Sequence, residues 1–212
     1  NSLSANTTGI NNTGMGAFAM ITNSTGQSNV AVGYASLAGN TTANNNTAVG
    51  YNSLTANTTG PANTAIGQSA LLSNTTGGKN IAVGYQAMNN NVDGDNCVAI
   101  GYQALYTQDP ASNVDMYNVA VGHAAGALIT TGIQNTIIGG LAGDSLTTGS
   151  YNVALGMGAL TNDDVGSKTT AIGYDALSSQ NYATATDSYN TAVGYNAGGA
   201  VTTGTYNTLI GG

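Results

Sequence analysis

His123, Cys97 and nine aspartates lead the candidates for acid–base, nucleophilic or metal-ligating chemistry in this 212-residue chain; Glu and Arg are absent, and the only lysines are Lys79 and Lys168. Acid–base or metal chemistry at a histidine needs a second group within hydrogen-bond reach, and spacing marks out no partner for His123. Cys97 stands alone, which excludes an internal disulfide and a thiolate metal centre. The dense acidic spots are Asp93-Gly94-Asp95 and Asp163-Asp164. Asp93, Asp95 and Asn96 carry oxygens of the kind calcium takes, but they lack the spacing of a complete binding loop and read as a solvated turn. Paired aspartates also serve glycoside hydrolysis, yet no constellation of such groups recurs along the chain. The expectation is a protein with no catalytic residues, no metal and no cofactor, and not an enzyme.

Composition narrows the partners. Charged residues make up 5% of the chain and the formal net charge is -7, so there is no basic patch to hold phosphates and nucleic acid is excluded as a partner. The apolar runs are a few residues long, too short for a membrane-spanning helix, and no membrane insertion is expected. Gly, Asn, Thr and Ala dominate, which disfavours helix. The 41% of hydrophobic residues recur at fixed positions, which argues for order over a low-complexity coil.

Those positions are set by a repeat. A marker glycine recurs as Gly16, Gly33, Gly50, Gly67, Gly84, Gly101, Gly122, Gly139, Gly156, Gly173, Gly194 and Gly211, at intervals of 17 residues except for two of 21. An aliphatic residue precedes every marker, and a β-branched residue stands two positions before that, from Thr13 and Met15 to Thr208 and Ile210. Asn precedes the β-branched residue in ten of twelve copies, as in Asn29, Asn46, Asn63 and Asn80; Cys97 and Thr169 are the exceptions. Tyr follows the marker in six copies, and a Leu or Met comes three residues later. Where Gly126, Gly143 and Gly198 replace that Leu, an apolar residue appears three positions on, as Ile129, Leu146 and Val201, so the core contact is expected to move and not to vanish. Turns such as Asn57-Thr58-Thr59-Gly60 then close the coil.

A fixed short period with a strand signature predicts an all-β parallel solenoid of about twelve 17-residue coils, each coil a turn, a strand, a second turn and a second strand, spanning 1–212 as one domain. Alternation along the strand puts the β-branched and aliphatic columns on one face and Asn, Ala and Gly on the other. The bulky face is expected to fill the interior, leaving the Ala/Gly face smooth and outward. Cys97, in the asparagine column, is expected to be a small buried or half-buried replacement and not a reactive thiol. The tyrosine column is expected to be a packing ladder between chains more than a platform for sugars. The two long intervals place insertions at 106–117 and 178–189. Broken regularity is where repeat proteins present function, so Tyr106, Asp109, Asp115, Tyr117, Tyr182, Asp187 and Tyr189 are the candidate receptor contacts.

Asn96-Cys97-Val98-Ala99-Ile100-Gly101 resembles the Asn-Ser-Val-Ala-Ile-Gly motif of YadA-like trimeric autotransporter adhesin heads. Asn63-Thr64-Ala65-Ile66-Gly67 with Ala70-Leu71 and Asn74-Thr75-Thr76-Gly77 is similar to repeats of phage tail-fibre shafts. The resemblance implies a left-handed β-roll, three chains about one axis, and an extracellular place in a virion tail fibre or cell-surface appendage that binds a surface glycan or protein receptor. The 17-residue period departs from the shorter adhesin repeat and leans toward the fibre. Two other readings stand beside it. The ends fall in one phase of the repeat without capping segments, which suggests a piece of a longer fibre or a self-polymerising filament subunit stacked head to tail. An ice- or surface-binding solenoid would need an outward threonine array, which the expected inward direction of the Thr/Val column disfavours.

Overall fold

The computed structural model describes all 212 residues as a parallel β-solenoid without helices. Each β-branched, small, aliphatic tripeptide forms a three-residue strand, one per coil, from Thr13–Met15 to Thr208–Ile210. The twelve strands pair in sequence order into a single sheet. Register follows the repeat: Val30, Ala31 and Val32 lie against Thr47, Ala48 and Val49, and those against Thr64, Ala65 and Ile66. At about 4.8 Å per strand the sheet runs roughly 55 Å along the rod.

The second regular strand expected in each coil is absent. Of 127 backbone hydrogen bonds only 24 lie within strands, so most of the stacking runs through bends. The backbone explains why: after the marker glycine, every second residue enters the left-handed region, as Asn52 (φ 53) and Leu54 (φ 51) do, and Ala62 (φ 58) repeats this before the next strand. Such residues curl an extended chain. The bends still bond coil to coil, Leu37 N–H donating to Ser53 O at 2.9 Å and Gly39 N–H to Thr55 O at 2.8 Å. The marker glycine is obligatory on two grounds. Gly67 has φ +131, and a Cβ there would sit on the carbonyl oxygen of Gly84 in the next coil.

The inside and outside of the strand are the reverse of the sequence expectation. Ala48, Ala65 and Ala82 and the asparagines beside them are fully buried, whereas the aliphatic and β-branched columns point outward; Ile100 is 40% exposed and Leu155 42%. A 17-residue coil encloses a lumen too thin for two facing rows of Val and Ile. It is filled mostly by Ala from the strand and by Leu or Met from the bend, such as Leu37, Leu54, Leu71 and Met88, with Ile137 a large inward strand residue near Gly143. The bends therefore supply most of the large core side chains, each stabilising by about 1.5–3 kcal/mol on burial.

Amides share this interior because stacking satisfies them. In the strand column, Asn46 N–H donates to Asn29 Oδ1 at 2.9 Å and Asn63 N–H to Asn46 Oδ1 at 2.8 Å, while Asn46 Nδ2 donates to Gly60 O at 3.0 Å. A second ladder runs through the turns: Asn40, Asn57, Asn74 and Asn91 each send Nδ2 to the Oδ1 one coil back, at 2.7 to 3.0 Å. The other Nδ2 hydrogen goes to the carbonyl three residues on, as from Asn57 to Gly60 O at 3.0 Å. Among buried side-chain polar atoms only Ser36 Oγ lacks a partner. A lost partner costs about 1–3 kcal/mol, so ladder closure decides whether an amide lumen is tolerable.

The predicted shift of core contact is present. Ile129 and Leu146 take the places of second-ladder asparagines and are fully buried. A Cβ on Gly126 would meet Ile129 Cδ1 at 2.9 Å, and one on Gly143 would meet Leu146 Cδ1 at 3.0 Å, so the glycine and the displaced apolar residue occupy one space. The ladder restarts at Asp163, whose Oδ1 accepts from Gly166 N–H at 3.0 Å and Oδ2 from Gln180 Nε2 at 2.7 Å. A carboxylate only accepts, so it needs nothing from Leu146 beneath it.

Candidate functional site

Both insertions are built by the same concerted replacement. In a regular coil the strand-column asparagine sends Nδ2 to a turn-glycine carbonyl 14 residues on, as Asn80 does to Gly94 O at 2.7 Å. Fourteen residues beyond Cys97 and Thr169 the chain is inserted loop instead. In those coils the second-ladder residue is Gln, one methylene longer, and it reaches across the lumen. Gln108 Nε2 donates to Asn91 Oδ1 at 3.2 Å and to Cys97 Sγ at 3.3 Å, and its Oε1 accepts from Asn118 Nδ2 at 3.0 Å. Gln180 does likewise, donating to Thr169 Oγ1 at 3.1 Å and accepting from Asn190 Nδ2 at 2.8 Å. Cys97 is buried, as its column implied, and burial pushes its thiol up to about 11.

Each loop adds a two-residue strand pair: Gly94–Asp95 with Val114–Asp115, and Gly166–Ser167 with Thr186–Asp187. The loops then present the same pair of side chains at the same phase, Asp115-Met116-Tyr117 and Asp187-Ser188-Tyr189. Tyr117 Oη donates to Asp115 Oδ2 at 3.1 Å, and Tyr189 Oη to Asp187 Oδ2 at 3.4 Å. The carboxylate raises the Tyr117 phenol above its ordinary value through this hydrogen bond and its charge. A residue from the coil below closes on each aspartate: Asn96 Nδ2 donates to Asp115 Oδ1, and Lys168 Nζ to Asp187 Oδ2 at 2.6 Å. Lys168 also donates to Tyr189 Oη at 3.1 Å and lies 5.1 Å from the ring centroid. A constellation does recur, contrary to the sequence expectation; aligning the two loops on the marker glycine that follows them would have exposed the Asp-x-Tyr pair.

The other candidate contacts separate. Tyr182 is 6% exposed, its hydroxyl donating to Gly204 O at 2.8 Å and accepting from Asn190 Nδ2 at 3.1 Å; it packs the loop base and is no surface contact. Burial raises its phenol. Tyr106 is half-buried and outside the Asp–Tyr pair. Asp109 is exposed, accepting from Val92 N–H at 3.2 Å. Asp93 accepts from the hydroxyls of Thr75 and Thr76, and Asp95 from Gly78 N–H.

The outward face of the sheet is the larger surface. Its rows are the β-branched and aliphatic columns, and no Asp or Lys stands in either. Tyrosine columns flank it on both sides. After the marker glycine come Tyr34 on Tyr51 at 5.3 Å, Tyr85 on Tyr102 at 5.2 Å, Tyr102 on His123 at 5.1 Å and Tyr174 on Tyr195 at 5.2 Å, all stacked. Before the strand stand Tyr117, Tyr151, Tyr189 and Tyr206, the last two stacked at 5.0 Å. The ladder rings thus pack on one another within one chain, and faces so engaged are closed to sugars. Comparison with protein-family models, with curated proteins and with solved structures returns no match, and the reading of these surfaces rests on their own geometry.

Proposed function

We propose that this solenoid is a structural and adhesive segment of an extracellular homotrimeric fibre, a tail-fibre shaft or adhesin head that spaces receptor-binding elements and contributes to them through its two loops, with no catalytic step. The observation that carries this reading is the outward sheet face: two aliphatic and β-branched rows, uncharged over twelve coils and edged by tyrosine. An unbroken aliphatic row of this length, beside a row shared between Thr and Val or Ile, is what a chain covers with a partner, and a second and third copy present the same rows at the same spacing. Charged residues lie in the bends and loops and leave this face free of them.

The test is the solution mass by light scattering, with a variant carrying Val83→Lys and Ile100→Lys. A discrete threefold mass that falls to one chain in the variant is expected, since three sets of lysines would converge in the shared core. A wild-type monomer would overturn the trimer. The outward direction of the Thr/Val column also revives a second reading, an ice- or surface-binding solenoid, because seven of its twelve residues are Thr on a regular lattice. Thermal hysteresis by a monomer would favour it.

A further inference from the structure

The two Asp-x-Tyr loops are built alike, but only the second holds a cation; in the first, Asn96 Nδ2 donates to Asp115 Oδ1. In the second, Lys168 fills the site from within the chain: its ammonium lies on the Asp187 carboxylate at 2.6 Å and on the Tyr189 hydroxyl at 3.1 Å. A charge-assisted hydrogen bond and a phenol contact are two modes by which an alkylammonium is held. The first loop has the same aspartate and tyrosine but Asn96 where the second has Lys168. It also has Asp95 in register beside Asp115, where the second loop has Ser167 beside Asp187. Lys168–Asp187 is the single salt bridge of the chain; Lys79, one coil below Asn96, makes none, and the carboxylates of Asp95 and Asp115 accept only from Gly78 N–H, Asn96 Nδ2 and Tyr117 Oη. Tyr117 is 52% exposed, and no aromatic ring stacks on it, whereas Tyr206 covers Tyr189.

We infer that Asp115, Tyr117 and Asp95 form a binding site for a primary ammonium group, and that the Lys168 clasp is the same site closed by the chain itself. The inference rests on the reading that the loops contribute to receptor contact, and it names the receptor chemistry: a surface bearing amino groups. An amino sugar and a lysine side chain share that chemistry.

The full chain is titrated by calorimetry in buffer of about 150 mM salt, to screen the net negative charge, with a glucosamine tetramer, its fully N-acetylated counterpart and a trilysine peptide as probes. Binding of an amine probe at one site per chain is expected, with the acetylated tetramer at least tenfold weaker. Asp115→Asn and Asn96→Lys should each weaken it at least tenfold, the first by removing the acceptor and the second by reproducing the clasp. Lys168→Ala should open a second site and raise the stoichiometry to two per chain. The tetramer binding and trilysine not, or the reverse, assigns the source as sugar or protein. Equal binding of the acetylated tetramer, or unchanged binding in both Asp115→Asn and Asn96→Lys, would overturn the inference. Circular dichroism of each variant guards against loss of fold, and Asn96→Lys places Lys where Lys168 already adopts the same backbone (φ 58 against 59). The light-scattering mass is independent of this titration: a monomer that binds amines removes the trimer and keeps the site, and an inert trimer does the opposite.

Discussion

Asp163 sets the pH dependence of the core. Burial raises its carboxyl above the usual value of 3.8, with the Gln180 and Gly166 hydrogen bonds opposing. Between 3.8 and the raised value the native state holds the proton more often than the unfolded state, so stability falls as pH rises through that window and the cost is complete above it. Asp163→Asn keeps the acceptor for Gln180 and gains a donor for the Gly166 carbonyl, but it gives up the acceptor for Gly166 N–H and turns its second amide hydrogen toward Leu146. The expected outcome is a melting-temperature difference from wild type that moves in the variant's favour between pH 3 and pH 7; a constant gap would refute the assignment. Cys97 gives a second check at this scale. With its thiol pushed up to about 11 and its sulfur enclosed, it should resist a disulfide reagent at pH 8 in the native state and react fully in denaturant.

Between elements, the exchange of Leu with Asn for Gly with Ile is a packing unit. Gly126→Leu alone should destabilise by about 1–3 kcal/mol, since Leu would overlap Ile129. Adding Ile129→Asn should restore most of that loss by returning both positions to the pattern of Leu105-type and Asn91-type residues. Denaturant titration of the four variants measures the coupling, and additive losses would rule it out. This exchange was legible in the sequence because a missing Leu and a new Ile fall at fixed spacing. The direction of the strand faces was not. Alternation says that Asn and Ala share a side, but which side is inward depends on lumen width, and the width is set by left-handed residues such as Leu54 and Ala62 that carry no sequence mark of that conformation. The loops were legible as positions. Their content was not, because the Gln108–Cys97 and Gln180–Thr169 partners are eleven residues apart and meet only across the lumen.

For the whole molecule, stability lies in stacking and very little in charge. Its single salt bridge is exposed, so about 0–1 kcal/mol is at stake and salt should shift the unfolding midpoint only slightly. A large loss of stability in 1 M salt would contradict this account. The twelve coils share one continuous sheet, so a break in the middle is felt on both sides. Gly84→Ala, which drives a methyl into the carbonyl of Gly101, should cost more than about 3 kcal/mol and split one unfolding transition into two.

The turn ladder also decides where this protein can be made. Asn6-Thr7-Thr8, Asn23-Ser24-Thr25, Asn40-Thr41-Thr42, Asn57-Thr58-Thr59 and Asn74-Thr75-Thr76 all match the acceptor triplet for N-linked oligosaccharide, and their asparagines are ladder residues. Asn57 spends both Nδ2 hydrogens inside the lumen, on Asn40 and on Gly60. An oligosaccharide attached to that nitrogen while the chain is still unfolded would leave it unable to close the coil. Passage through a eukaryotic secretory pathway should therefore yield misfolded, sugar-bearing chains, and a host without that modification should yield the rod.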